Sequence, residues 1–288
     1  MRLRPLEALN FGTLAVLTLL TLFLGARVAE RGAILARYVE MAAALVVIAF
    51  ASRREEKLPS VVRVVLNFYP IAFVPLLYES LGPLIVAANP HSRDSLLIVA
   101  DRALFGGDPT VWLERYLSPF LTDLFFIAYL SYYFIAIALG AILWARNTAA
   151  AKRYIFTLTV AYLLSYTGYF LVPALGPRAS LADQHEHPLA TTAISRTVSV
   201  TLDELEHTKF DVFPSGHTMI AVVVLVVSFQ RARDTFPWFL PVALLLIAST
   251  VYCRYHYVVD VIAGTLLALA AVPLGDRLYD RWMEKALD

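Results

Sequence analysis

Apolar residues gather in eight long stretches, at roughly 9–26, 35–51, 61–79, 120–145, 154–173, 215–230, 237–252 and 256–274. About 20 helical residues cross the hydrocarbon of a bilayer, and tilt or polar ends let somewhat shorter runs do so. The pattern therefore predicts an all-α, polytopic transmembrane bundle of about eight helices. Pro70 and Pro75 fall inside the third stretch and predict a kink there, which neighbouring helices tolerate in a membrane. Two polar segments interrupt the bundle, at 82–118 and 175–214. In the first, Asp94 and Asp101 are seven residues apart and so share one helical face, as in a helix lying along the membrane surface. There they either orient that helix or contact a head group. Two units are expected: N-terminal transmembrane helices over 1–60 and a catalytic membrane domain over 61–288.

Composition agrees with the pattern. The chain of 288 residues is 59% hydrophobic and 16% charged, with mean hydropathy +0.66, too few charges to cover a soluble globule of this size. A net charge of +1 without any basic block excludes a nucleic-acid partner. The single cysteine, Cys253, excludes an internal disulfide framework. The opening "MRLRPLEALNFGTLAVLTLLTLFLGARVAE" has the basic start and apolar run of a signal peptide but no small-x-small cleavage site, so it reads as a retained helix.

Basic residues in the short connections set an expected orientation. Arg53, Arg54 and Lys57, then Arg146, Lys152 and Arg153, then Arg231 and Arg233 fall on one side. Arg2 and Arg4 at the start and Arg277, Arg281 and Lys285 at the end join them, which makes that side cytoplasmic. Only "ARVAERGAILAR", between the first two helices, dissents. The expected location is the plasma (inner) membrane, with 175–214 on its extracytoplasmic face.

Three polar sites then share that outer face: "VPALGPR" at 172–178, "FPSGH" at 213–217 and "CRYHYVVDVIAG" at 253–264. His256 and Asp260 are four residues apart, and on a helix they would meet one turn apart. A carboxylate on Nδ1 fixes the imidazole tautomer and leaves Nε2 as a nucleophile or base. With His217 as a second imidazole, the pair suits phosphoryl transfer through a covalent phosphohistidine, with no metal or other cofactor. Two helix N-termini would supply oriented amides for the phosphate, Gly216 would let backbone approach it, and Arg178 would clamp its oxygens bidentately. Arg254 is a weaker candidate for the same work.

"PSGH" followed by His-x-x-x-Asp at the start of a later helix resembles the type 2 phosphatidic acid phosphatase superfamily, membrane enzymes with a six-helix core and an active site facing away from the cytosol. The resemblance implies that His256 is the nucleophile, Asp260 its orienting partner and His217 the acid/base on the leaving group, with Ser215 and Gly216 binding phosphate. Two motif positions differ: "GPR" at 176–178 stands where the superfamily has a Lys and a later Arg-Pro, and Ser249-Thr250 replaces a Ser-Arg. Both differences, with "DVFPSGHT", "PALGPR" and "LFGGDPTVWL", resemble the branch of the inositol phosphorylceramide synthases, the aureobasidin-resistance type. The likeness runs over about 60–288. It implies a substrate drawn from the bilayer and raises head-group transfer to a lipid alcohol beside simple hydrolysis of a lipid phosphate. A retired enzyme acting as a transporter or scaffold is the non-catalytic alternative.

Several residues keep plainer readings. Arg178 and Arg254 also suit phospholipid anchoring or snorkelling. His185, His187 and His207 lack the cysteines and regular spacing of a metal site and read as solvated loop residues. Tyr162, Tyr166 and Tyr169 read as packing or interfacial residues of the fifth stretch ahead of a role in binding substrate, and Asp211 either caps its turn or holds Arg178.

Overall fold

The computed structural model describes residues 3–189, 192–205 and 208–287. Each apolar stretch forms a helix, and small polar residues set several of the ends. α1 (Pro5–Leu24) and α2 (Arg31–Ser52) form an antiparallel pair. α3 (Ser60–Phe68) and α4 (Pro70–Ala88) make one apolar run of 29 residues, broken at Pro70, with Pro75 and Pro83 inside α4. The polar segment follows as α5 (Asp94–Phe105) and the short α6 (Pro109–Trp112). α7 (Pro119–Leu130) and α8 (Tyr132–Arg146) share one apolar stretch but meet at 47°. α9 (Thr148–Leu171) starts where the Asn147 side chain accepts from the amides of Ala149 and Ala150, at 3.0 and 3.1 Å, an ordinary N-cap. The second polar segment holds the short α10 (Pro177–Ser180) and α11 (Ala193–Leu205). α12 (Gly216–Arg231), α13 (Phe236–Tyr252) and α14 (Val258–Leu287) complete the chain. The described residues form no strand.

α9, α12 and α14 pack against one another at the centre, with α8 and α13 alongside. α12 is buried on nearly every side, with Met219, Ile220, Ala221, Val223 and Val224 all in the main core, which is why its sequence is aliphatic all round rather than on one stripe. α1, α2 and α4 build a second core that reaches Tyr166 and Tyr169 of α9. At one end of the bundle Arg4 bonds Glu7 and also Glu55, at 3.1 Å, while Lys152 reaches Glu55 at 2.8 Å.

Among the described residues, five runs are long and apolar enough to cross a membrane, and six if the bent α7–α8 pair counts as one span. α12 and α13 are shorter apolar helices of 16 and 17 residues, about 24–26 Å at 1.5 Å per residue against a hydrocarbon layer of about 30 Å. Large apolar side chains such as Phe23, Val47, Phe50 and Leu266 are exposed, the surface expected of helices solvated by lipid. The result is a polytopic helical membrane protein. Boundaries differ from the sequence pattern at a few places: the third run extends to Ala88, and the last helix starts at Val258 and continues to Leu287.

Candidate active site

The three polar sites meet. Ser215 caps α12 by accepting from the Thr218 amide at 3.2 Å, while its own amide donates to the Asp260 carbonyl at 3.1 Å. The Arg178 amide donates to the Arg254 carbonyl at 2.9 Å. Gly176, at φ +87°, takes the left-handed turn that precedes it. These backbone bonds, long-range in sequence, join α10 to the turn after α13 and the start of α12 to α14.

At the centre, His256 Nε2 lies 3.5 Å from His217 Nδ1. The Tyr129 oxygen is 3.4 Å from the same His217 nitrogen, and the rings of Tyr129 and Tyr132 lie 4.4 and 4.1 Å from the His217 ring. Behind His256, Nδ1 is 3.6 Å from Asp260 Oδ2. These are the two atoms the spacing predicted, at a separation somewhat longer than a hydrogen bond.

The route to that pairing differs from the expected one. His256 is not on the helix, because α14 begins only at Val258. Carboxylates fix that start: Asp260 Oδ2 accepts from the Tyr257 amide at 2.8 Å, and Asp101 accepts from the amides of Val258 and Val259 at 3.0 and 2.8 Å. Asp101 and Asp94 thus act as buried pins rather than head-group contacts. Asp94 accepts from the amides of Leu175 and Gly176, both at 2.8 Å, and from the Tyr257 hydroxyl. The expectation of two open helix ends narrows accordingly, since the first amides of α14 are already bound and α12 supplies the remaining one. Gly216 is required by its neighbour as well: a Cβ there would stand 2.7 Å from the Tyr169 hydroxyl.

Both arginines are engaged by acids. Arg178 makes a bidentate pair with Asp203 of α11, at 2.8 and 3.0 Å, and also reaches the Tyr255 hydroxyl and Ser199. Burial works against its charge, but Tyr255 and Asp203 outweigh that and raise it. Arg254 bonds Glu114 at 2.6 Å and the His187 carbonyl at 3.0 Å. Burial pulls its guanidinium below the ordinary value, and Glu114 opposes the pull. Asp211 accepts from the Tyr78 hydroxyl, while the Arg178 fork goes to Asp203. Tyr166 and Tyr169 pack as expected.

His185 and His187 belong to the outer loop, His185 half-buried and His187 exposed; burial and the nearby Arg254 lower the His185 imidazole. His207 lies outside the described residues. No group of three or more His, Cys, Asp or Glu among the described residues is placed to hold a metal. Tyr129, Tyr132 and Tyr257 escaped the sequence reading, since a tyrosine inside an apolar stretch looks like any other packing residue.

A helical membrane bundle that brings two histidines together at one end, with a carboxylate behind one of them, defines a class of candidate phosphoryl-handling proteins. The sequence model of the PAP2 superfamily matches residues 95–274, more than half of the chain. The chain belongs to the PAP2 superfamily. No curated protein and no solved structure matches it.

Proposed function

We propose that this protein is a phosphotransferase or phosphatase of lipid head groups, working from within the membrane through a phosphohistidine at His256. The observation that carries this reading is the His256 Nε2 to His217 Nδ1 separation of 3.5 Å, with Asp260 behind the other nitrogen of His256. In the first step Nε2 of His256 bonds to phosphorus and the P–O bond to the leaving alcohol breaks. His217 gives that oxygen its proton. In the second step an acceptor oxygen attacks phosphorus, its proton passes to His217, and the P–N bond breaks. Asp260 holds the His256 ring and stabilises the charge that forms on it.

Phosphate oxygens would be received by the N-terminus of α12, through Ser215 and Gly216, and by Arg178 in exchange for Asp203, one oxyanion replacing another. Arg254, bound to Glu114, is assigned to shaping the outer loop. The catalytic unit is taken as 61–288, with 1–60 packed on it. The likeness of "DVFPSGHT" and "PALGPR" to the inositol phosphorylceramide synthase branch favours transfer of a head group over hydrolysis. The distribution of basic residues favours an extracytoplasmic site in the plasma (inner) membrane.

The test uses purified protein and lipids carrying a ³²P head group. Wild type should acquire an acid-labile label, and His256→Ala should lose both the label and turnover. Retention of turnover by His256→Ala would refute the mechanism. Inorganic phosphate as the main product, with an added lipid alcohol left unmodified, would assign hydrolysis instead.

A further inference from the structure

A slot runs between α4 and α8 across the face of α9, and its head reaches His217. Its volume is about 520 Å³. α4 and α8 both pack on α9, and the slot lies in the gap between them. Its walls are hydrocarbon and phenol rings: Pro70 and Val74 on α4, Ile137 and Gly140 on α8, Leu158 and Tyr162 on α9. Ile71 and Phe134, which also line it, are 47% and 67% exposed, so the slot opens sideways to the lipid. From Tyr154 to Tyr169 it follows α9 for about 22 Å at 1.5 Å per residue, most of a hydrocarbon layer of about 30 Å.

The head of the slot has a particular chemistry. Gly216, His217 and Asp211 line it, with Tyr78, whose hydroxyl donates to Asp211. Glu79 is the other lining carboxylate, and Arg37 binds it at 2.8 Å. Among the described residues no lysine or arginine lines the slot, and His256, Asp260 and Arg178 do not line it either. An anionic phosphate drawn into the slot would face carboxylates instead of cations. A hydroxyl or amide N–H would find an acceptor in Asp211. The slot touches His217, which serves the alcohol oxygen, and not the nucleophile that takes phosphorus.

We propose that this slot seats the chain of a neutral lipid alcohol, with Asp211, steadied by Tyr78, accepting a hydrogen bond from the alcohol's head beside His217. The inference rests on the proposed function for the role of His217. It places a lipid alcohol, in preference to water, where the phosphohistidine is resolved. The alcohol oxygen forms the new P–O bond and the P–N bond returns its electron pair to Nε2 of His256. The alcohol's proton turns from Asp211 to His217 as the bond forms.

Full-length His256→Ala protein in phosphatidylcholine vesicles tests this without any phosphohistidine. The probes are a photoactivatable, clickable oleyl alcohol and the matching oleyl phosphate. The alcohol should label peptides of α4, α8 and α9, and unlabelled oleyl alcohol should compete. Ile137→Trp, which fills the slot, should cut labelling by about tenfold. Val74→Phe on the opposite wall should do the same and serves if the first variant misfolds. Asp211→Ala should cut it by about tenfold, the loss of one hydrogen bond to a charged acceptor, and Asp211→Asn should recover part of it. Labelling that survives both slot-filling variants, or oleyl phosphate labelling these peptides as well as the alcohol does, overturns the proposal. Because the nucleophile is absent, an inactive wild type would remove the phosphohistidine reading while competed labelling kept the slot.

Discussion

The Tyr257 hydroxyl donates to the Asp94 carboxylate across 2.7 Å, tying the residue after His256 to the first turn of α5. The same carboxylate takes the amides of Leu175 and Gly176, so one buried acid holds two of the three polar sites in register. Asp94→Ala would leave those donors unpaired and should lower stability by about 3 kcal/mol. Asp94→Asn keeps one acceptor oxygen and should lose less. Thermal unfolding in detergent measures both, and an Ala variant as stable as wild type would remove Asp94 from this role.

Close approach of α14 to α12 depends on Gly264. A Cβ at that position would stand 2.5 Å from the Ser215 carbonyl oxygen, a backbone atom that cannot move aside alone. Gly264→Ala should therefore push the helices apart, at a cost of about 1–3 kcal/mol. It should also lower turnover about a hundredfold by displacing His217 from His256. Gly12→Ala is the control, since nothing lies within 4 Å of a Cβ there. It should leave activity unchanged and stabilise α1 by about 0.5–1 kcal/mol. Equal behaviour of the two variants in unfolding and turnover assays would contradict the packing argument.

Asp203 occupies the Arg178 fork that the mechanism assigns to phosphate oxygens. Removing that competitor with Asp203→Ala should lower KM for the phosphorylated lipid severalfold with little change in kcat. Arg178→Lys keeps the charge but loses the fork, and should raise KM about tenfold. Kinetics across a lipid concentration series decide it. A rise in KM on Asp203→Ala would show that the ion pair supports the site instead of closing it.

The helices and the contact of His256 with Asp260 were legible in the sequence because both depend on local spacing. Apolar runs gave the spans, and the four-residue step from His256 to Asp260 gave the right atoms even though His256 precedes the helix. What stayed hidden depends on distant partners. The seven-residue step from Asp94 to Asp101 placed them on one face, but nothing local said that this face would receive the amides of Leu175, Gly176, Val258 and Val259. The pairing of Arg178 with Asp203 was hidden for the same reason. Asp211 could be linked to Tyr78, 133 residues away, only once α4 and the turn before α12 were placed side by side.

The rate should fall in acid, because the proposed mechanism gives the two histidines opposite tasks. Attack needs a lone pair on Nε2 of His256, so acid removes activity as that ring takes a proton. The leaving oxygen needs a proton, which the mechanism takes from His217. His217→Gln should keep the acid limb and lower the plateau by about 10²–10⁴-fold. Tyr129→Phe removes the hydroxyl 3.4 Å from His217 Nδ1 and should lower the plateau less than His217→Gln does. Initial rates measured from about pH 4 to pH 8 give both the limb and the plateau. A profile that stays flat down to about pH 4 would rule out histidine as the nucleophile, and an unchanged plateau in His217→Gln would move the acid role to another group.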